Sequence, residues 1–212
     1  MLCLITDRRW SGTRAEDDLV ARVGAAARAG VQLIQVRERD LDGGALTRLV
    51  SRCVAVARQT RTRIVVNERT DVALAAGAHG VHLRGDSLPA ARVRAIVPPG
   101  FLVGRSVHSV AEVQAAAAEG ALDYLLFGTV FPTASKAGRA AAGVAALAEA
   151  VAATAIPVLA VGGVGIDTAG SVAATGAAGV AAIGLFASGP VDGVQLAVSR
   201  LNMAFDTPIP PS

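Results

Sequence analysis

Aromatic residues make up only 3% of this 212-residue chain, and that scarcity is the first constraint on its function. Single-stranded nucleic acid is held by basic grooves interleaved with stacking rings. Here rings are few, and the 20 Lys and Arg side chains, against 17 Asp and Glu, are spread along the whole chain. The formal charge of +3 therefore argues for no nucleic-acid partner. Cysteine is scarce too: Cys3 and Cys53 stand in apolar runs with no CxxC or Cys/His spacing. This excludes a zinc site or a redox pair and predicts two buried thiols in a reducing compartment. Long apolar runs are missing, and "MLCLITDRRW" turns polar too early for the apolar region of a signal peptide. The expectation is a cytoplasmic protein with no membrane partner. Lysine is the rarest basic residue, with Lys136 in "FGTVFPTASKAG" the only one.

What is present is small and apolar. Apolar residues make up 52% of the chain, mainly Ala, Val, Leu and Ile, which suit close packing of helices on a sheet. Short β-branched runs recur about every 25 residues, each followed by a polar or Gly-bearing turn and an Ala-rich stretch. Eight strands are predicted: 2–6, 32–36, 63–66, 79–83, 101–104, 123–127, 156–161 and 178–183. Helices are predicted between them, among them 16–29, 44–59, 110–119 and 144–153, with an eighth over 190–205. Gly30, Gly77, Gly120 and Gly176 each stand between a helical stretch and the next strand, where glycine ends helices. Strict alternation of strand and helix over eight units predicts one parallel (β/α)8 TIM barrel over residues 1–205, with 206–212 as a tail. A doubly wound open sheet is the alternative, but no GxGxxG opens the first helix.

In such a barrel, chemistry sits at the carboxyl ends of the strands. There the sequence places Arg37, Glu38 and Arg39 after strand 2, Asn67 and Glu68 after strand 3, and Arg84 and Asp86 after strand 4. Ser106 and His108 follow strand 5, Thr129, Thr133, Ser135 and Lys136 strand 6, Gly162 and Gly163 strand 7, and Gly184 strand 8. Arg37 and Arg39 alternate onto one side of an extended chain, where two guanidiniums hold a phosphate or diphosphate. "VGGVG", followed by a helix, offers backbone N–H groups to an anion, and with Gly184 it matches the usual barrel phosphate site. His79 and His82 flank strand 4 and read as packing residues. His108 in "GRSVHSV" reads as a group able to take and return a proton.

The blocks "QVRERD", "VVNERTDVALAAGAHGVHL", "GRSVHS", "DYLLFGTVFPTASK", "PVLAVGGV" and "AGVAAIGLF", in this order, resemble the thiamine phosphate synthase and TenI superfamily. The resemblance implies a TIM barrel binding the phosphorylated thiazole half of thiamine at the glycine cup. It implies one of two chemistries. Synthases join thiazole phosphate to an aminopyrimidine diphosphate using Mg2+, and carry Asn-Asp after strand 3 and a "GQxD"-like aspartate after strand 4. Thiazole tautomerases shift a proton to aromatise carboxythiazole phosphate, use the histidine of a "GRSVHS" segment, and need no metal cofactor.

This chain reads Asn67-Glu68 and "LRGDSLP", with Asp86 one position early beside Arg84, while "GRSVHS" is intact. The expectation is therefore a tautomerase with His108 as acid and base. Arg37, Arg39, Asn67, Ser106, Thr133, Lys136, Gly162, Gly163 and Gly184 would hold the substrate and its phosphate. The alternative is a magnesium-dependent synthase with Glu68 and Asp86 on the metal and the pyrimidine diphosphate as a second substrate. A third reading, of another class, is a non-catalytic thiazole or thiamine phosphate-binding regulator. The sequence leaves a homo-oligomer open.

Overall fold

The structure is a computed structural model that describes residues 1–11, 16–133, 140–184 and 193–206. Eight parallel strands close into a barrel in sequence order: β1 (Leu2–Ile5), β2 (Leu33–Val36), β3 (Arg63–Asn67), β4 (Gly80–Leu83), β5 (Leu102–Val107), β6 (Tyr124–Phe127), β7 (Val158–Val161) and β8 (Gly179–Ala182). Closure is made where β8 lies beside β1, with Cys3 opposite Ala181 and Leu4 opposite Ala182. The helices are α1 (Glu16–Arg28), α2 (Gly43–Ala57), α3 (Thr70–Ala75), α4 (Ala90–Arg94), α5 (Val110–Ala118), α6 (Gly143–Ala152), α7 (Ile166–Ala173) and α8 (Gly193–Asp206). This is the (β/α)8 barrel that the alternation predicts.

Because strand side chains alternate between faces, the barrel has two cores. Cys3, Ile5, Leu33, Val65, Tyr124, Leu126, Leu159 and Ala181 fill the lumen. A larger apolar layer, including Leu4, Ile34, Ile64, Val81, Val103 and Leu125, lies between the strands and the helices. Small residues make the lumen possible. A Cβ added to Gly104 would lie 2.1 Å from the Tyr124 ring, so glycine there gives that ring its space. Gly30, Gly77, Gly120 and Gly176 all take positive φ, as expected of residues that end helices. Both cysteines are free and buried, and burial pushes each thiol up to about 12.

Strand β5 runs on to Val107, beyond the predicted 101–104, and carries Ser106 into the barrel wall. Helices α3 and α4 are too short to show a clear helical period in the sequence. Among the described residues, no helix is long and apolar enough to cross a membrane.

Candidate active site at the carboxyl end of the barrel

The mouth has two chemically distinct halves. On the β1–β4 side, the buried carboxylate of Glu38 accepts the Thr6 hydroxyl at 2.6 Å and the Arg8 backbone N–H at 3.1 and 3.2 Å. Thr6 Oγ1 accepts in turn from the Arg37 backbone N–H at 3.0 Å. Burial raises the pKa of Glu38, and these bonds oppose that shift. The network fixes the ends of β1 and β2 and consumes the nearest carboxylate. Neither Arg37 nor Arg39 makes an ion pair among the described residues. Burial first, and then the like charge of Arg39, lower the pKa of the half-buried Arg37 guanidinium. Both arginines line a hollow of about 320 Å³ together with Asp7, Arg9, Glu38 and Asp40. Asp7 pairs with Arg9, and Glu38 and Asp40 pair with Arg8, so Arg37 and Arg39 are the guanidiniums of this wall outside the ion pairs among the described residues.

A second hollow of about 280 Å³ lies beside it, lined by Arg39, Asn67, Glu68 and Arg84 among others. Asn67 ends β3 and accepts from Gln35 Nε2 at 3.0 Å, which leaves the buried Gln35 carboxamide oxygen without a partner. Glu68 follows with φ of 66°, the one non-glycine residue with positive φ among the described residues. Its backbone N–H bonds the His82 carbonyl, and its Oε1 accepts the Arg84 backbone N–H at 2.5 Å. The Arg84 guanidinium meanwhile grips both oxygens of Asp86.

The family resemblance carries a magnesium option for Glu68 and Asp86. One Glu68 oxygen is bound to a backbone N–H, and both Asp86 oxygens face a guanidinium. No group of three or more His, Cys, Asp or Glu able to hold a metal occurs among the described residues. Mg2+ needs near-ideal octahedral oxygens, and the Arg84 guanidinium already paired with Asp86 competes with it for that carboxylate. The residues present do not fit that ion.

Among the described residues, the β5–β8 half of the mouth carries few charged side chains. Ser109 caps α5 by accepting the Glu112 N–H at 3.2 Å, and Glu112 Oε2 accepts the His108 N–H at 2.8 Å. This fixes the backbone of His108, whose ring lies exposed at the mouth. His108 Nδ1 bonds the Gly128 carbonyl. A carbonyl only accepts, so Nδ1 carries the proton and Nε2 presents a lone pair to the mouth. Ser106, two residues earlier, bonds His82 Nε2 at 2.8 Å.

The glycine loops are shaped by packing. At Gly128 a Cβ would lie 2.0 Å from the Val161 carbonyl oxygen. Gly162 and Gly163 have φ of 94° and 65°, and Cβ atoms there would meet Thr129 at 2.6 Å and the Pro132 carbonyl oxygen at 2.5 Å. Thus the segment after β6 crosses directly over the turn after β7, with Phe131 N–H on the Gly162 carbonyl at 3.0 Å. Gly165 caps α7, and its N–H is taken by Thr168 Oγ1 at 2.9 Å. Thr133 and Gly184 lie at the same end of the barrel, at the ends of described segments. Ser135 and Lys136 lie outside the described residues.

His79 is half-buried and His82 buried, packed at β4 as expected. His79 Nδ1 accepts the Ile64 N–H at 2.9 Å, and burial then Arg63 lower its pKa. The residues that sequence reasoning missed are Gln35, Tyr124 and the bridging role of Arg84. Gln35 had a signal: a polar residue two positions before Arg37 in an otherwise apolar strand, hence on the same face.

A closed eight-stranded parallel barrel with an anion-seeking arginine pair and an exposed imidazole at one end defines a (β/α)8 enzyme-type mouth. The chain belongs to the thiamine monophosphate synthase (TMP-TENI) family, whose profile matches residues 2–186. It is 43% identical over 136 residues to a putative thiamine-phosphate synthase of Geobacter sulfurreducens, covering 64% of this chain and 62% of that one. It is 46% identical over 138 residues to a thiamine-phosphate synthase of Methanoculleus marisnigri, again covering 64% and 62%. The match thus spans about three fifths of these curated relatives' length. Among solved structures, thiamine phosphate pyrophosphorylase from Pyrococcus furiosus superposes with a TM-score of 0.82 at 30% identity, covering 97% of this chain and 95% of that chain. A 3-hexulose-6-phosphate synthase from Salmonella typhimurium shares the fold, at a TM-score of 0.71 and 15% identity.

Proposed function

We propose that this protein is a thiamine-biosynthesis enzyme acting on a phosphorylated thiazole, and that its reaction is the metal-independent proton shift that aromatises carboxythiazole phosphate. The observation that carries this reading is the engagement of Glu68 and Asp86 by Arg84, beside an intact His108. Where the family's synthases place metal carboxylates, this chain ties Glu68 to the Arg84 backbone N–H and Asp86 to the Arg84 guanidinium. The proton-transfer residue is held in a single tautomer.

In this mechanism Arg37 and Arg39 hold anionic oxygens of the substrate, while the backbone around Gly162, Gly163 and Gly184, with Thr133 and Lys136, holds its phosphate. His108 Nε2 removes the ring proton and returns it at the neighbouring position, and the Gly128 carbonyl stabilises the imidazolium between the two steps through Nδ1–H. No net charge or redox equivalent is consumed.

A second reading has an observation of its own, because the two relatives described above are named putative thiamine-phosphate synthase and thiamine-phosphate synthase. One experiment separates them. Purified protein is given carboxythiazole phosphate in a magnesium chelator, and separately thiazole phosphate with the aminopyrimidine diphosphate and Mg2+. Aromatised product in the first arm and none in the second is the expected result. Thiamine phosphate formed only with Mg2+ would establish the synthase instead, and binding of carboxythiazole phosphate with turnover in neither arm would establish the regulator.

A further inference from the structure

Beneath the mouth lies a buried chain of hydrogen bonds that the proton shift does not use. Tyr124, the one aromatic residue of the lumen cluster, is 3% exposed, and its hydroxyl lies 3.1 Å from His82 Nδ1. His82, 1% exposed, lies with its ring 5.6 Å from the Tyr124 ring and reaches Ser106 Oγ with Nε2 at 2.8 Å. Ser106 is only half-buried, on the strand that leads to His108.

The direction of these bonds follows from counting donors and acceptors. Among the described residues the Tyr124 hydroxyl has no hydrogen-bond partner other than His82. If His82 Nδ1 carried the proton, the Tyr124 O–H would be a buried donor with no acceptor, at a cost of about 1–3 kcal/mol. Tyr124 therefore donates to Nδ1. The His82 proton then resides on Nε2, which donates to Ser106 Oγ. Among the described residues the half-buried Ser106 hydroxyl makes no other hydrogen bond, so its proton is available to the mouth.

We propose that Tyr124 and His82 act as positioning residues that orient Ser106 to donate its hydrogen bond toward an anionic oxygen of the bound ligand. Burial supports this by keeping both groups neutral: it lowers His82 to about 3 and raises the Tyr124 phenol well above its ordinary value. Gly104 belongs to the same device, since it makes the space in which the Tyr124 ring lies. Water and neutral hydroxyl ligands gain less, because an ionised acceptor strengthens the bond roughly twofold.

This inference rests on the mouth being the ligand site, but its first test does not. Nitrogen-15 correlation spectra of the full chain should show His82 protonated on Nε2 only, and an Nδ1–H tautomer or an imidazolium at neutral pH would overturn the proposal. The second test titrates inorganic phosphate and carboxythiazole phosphate into wild type, Tyr124→Phe, Ser106→Ala and the double variant. Tyr124→Phe keeps the ring and loses only the donor. It should weaken anion binding about fivefold, the worth of one neutral hydrogen bond, and should add nothing to Ser106→Ala. Equal losses in both backgrounds would show a merely structural role and overturn it. If carboxythiazole phosphate alone fails to bind wild type while the tautomer and phosphate results hold, the functional reading falls and the relay stands.

Discussion

The two halves of the mouth are built from different materials. Between β1 and β4 the walls are charged side chains, with Arg37 and Arg39 outside any ion pair among the described residues and Glu38, Glu68 and Asp86 engaged internally. Between β5 and β8 the walls are backbone, drawn so close that Gly128, Gly162 and Gly163 have no room for a Cβ. Side chains can move to meet an anion; packed backbone cannot. In the proposed reaction the charged half meets the ligand with movable side chains, and the glycine-walled half supplies a fixed shape, the phosphate cup and the proton-transfer residue.

The largest expected effect tests that division directly. His108→Asn should lower kcat by about 10²–10⁴, the usual worth of a general acid–base group, with little change in KM. Arg37→Gln should do the reverse, raising KM about tenfold or more as a charged hydrogen bond is lost. Steady-state kinetics on carboxythiazole phosphate read both. A His108→Asn protein with normal kcat would move the chemistry out of the glycine-walled half.

Next in size is the rigidity of that half. Gly128→Ala puts a methyl 2.0 Å from a backbone oxygen of the neighbouring strand, so strands must separate. The expected loss is about 3 kcal/mol or more, a fall in Tm of about 6 °C or more in thermal unfolding. Gly170→Ala is the control: it lies in α7 with nothing within 4 Å of the new Cβ. It should stabilise by about 0.5–1 kcal/mol, as alanine does in a helix interior. Equal behaviour of the two variants would show that the glycine-walled half yields as readily as a helix surface.

The same contrast explains what could be read before the structure. Strand period and helix-ending glycines are local signals, so all eight strands were legible within a residue or two except β5, whose polar end in "GRSV" hides its continuation. The candidate residues at the mouth were legible because barrel topology fixes where strands end. The reasons for the glycines were not. Gly162 and Gly163 read as an anion cup, yet what compels glycine there is the segment 129–132 crossing above, a contact no spacing reveals. Nor could spacing show that Arg84 reaches both Glu68 and Asp86, since that depends on the register of Asn67 against His82.

The seam between the halves, His82 on β4 and Ser106 on β5, makes a pH prediction. His82 is held at about 3, below its ordinary 6.5, chiefly by burial and then by Arg37. A lowered folded-state pKa means that the unfolded chain binds more protons between pH 6.5 and 3, so stability falls as pH falls through that window. The expected slope is at most about 1.4 kcal/mol per pH unit. Denaturant unfolding of wild type and His82→Gln at pH 7, 5.5 and 4 measures it. The difference between the two curves isolates His82 from His79, which contributes in the same direction. Parallel curves would mean that the seam is wet and that His82 titrates like an exposed side chain.

The smallest expected effect is at Arg84. Its guanidinium and the Asp86 carboxylate are 51% and 69% exposed, and exposed ion pairs contribute little to stability. Arg84→Ala keeps the backbone N–H that Glu68 Oε1 accepts, so the β3–β4 junction stays pinned. Tm should therefore move by less than about 2 °C. Ligand affinity should respond more than stability, because the variant removes a positive charge from the wall shared by Arg39 and Asn67. That combination is what a capture surface requires, since a side chain that serves the ligand is free to be lost by the fold. A large fall in Tm with unchanged affinity would make the charged half as structural as the glycine half, and the division of labour between them would fail.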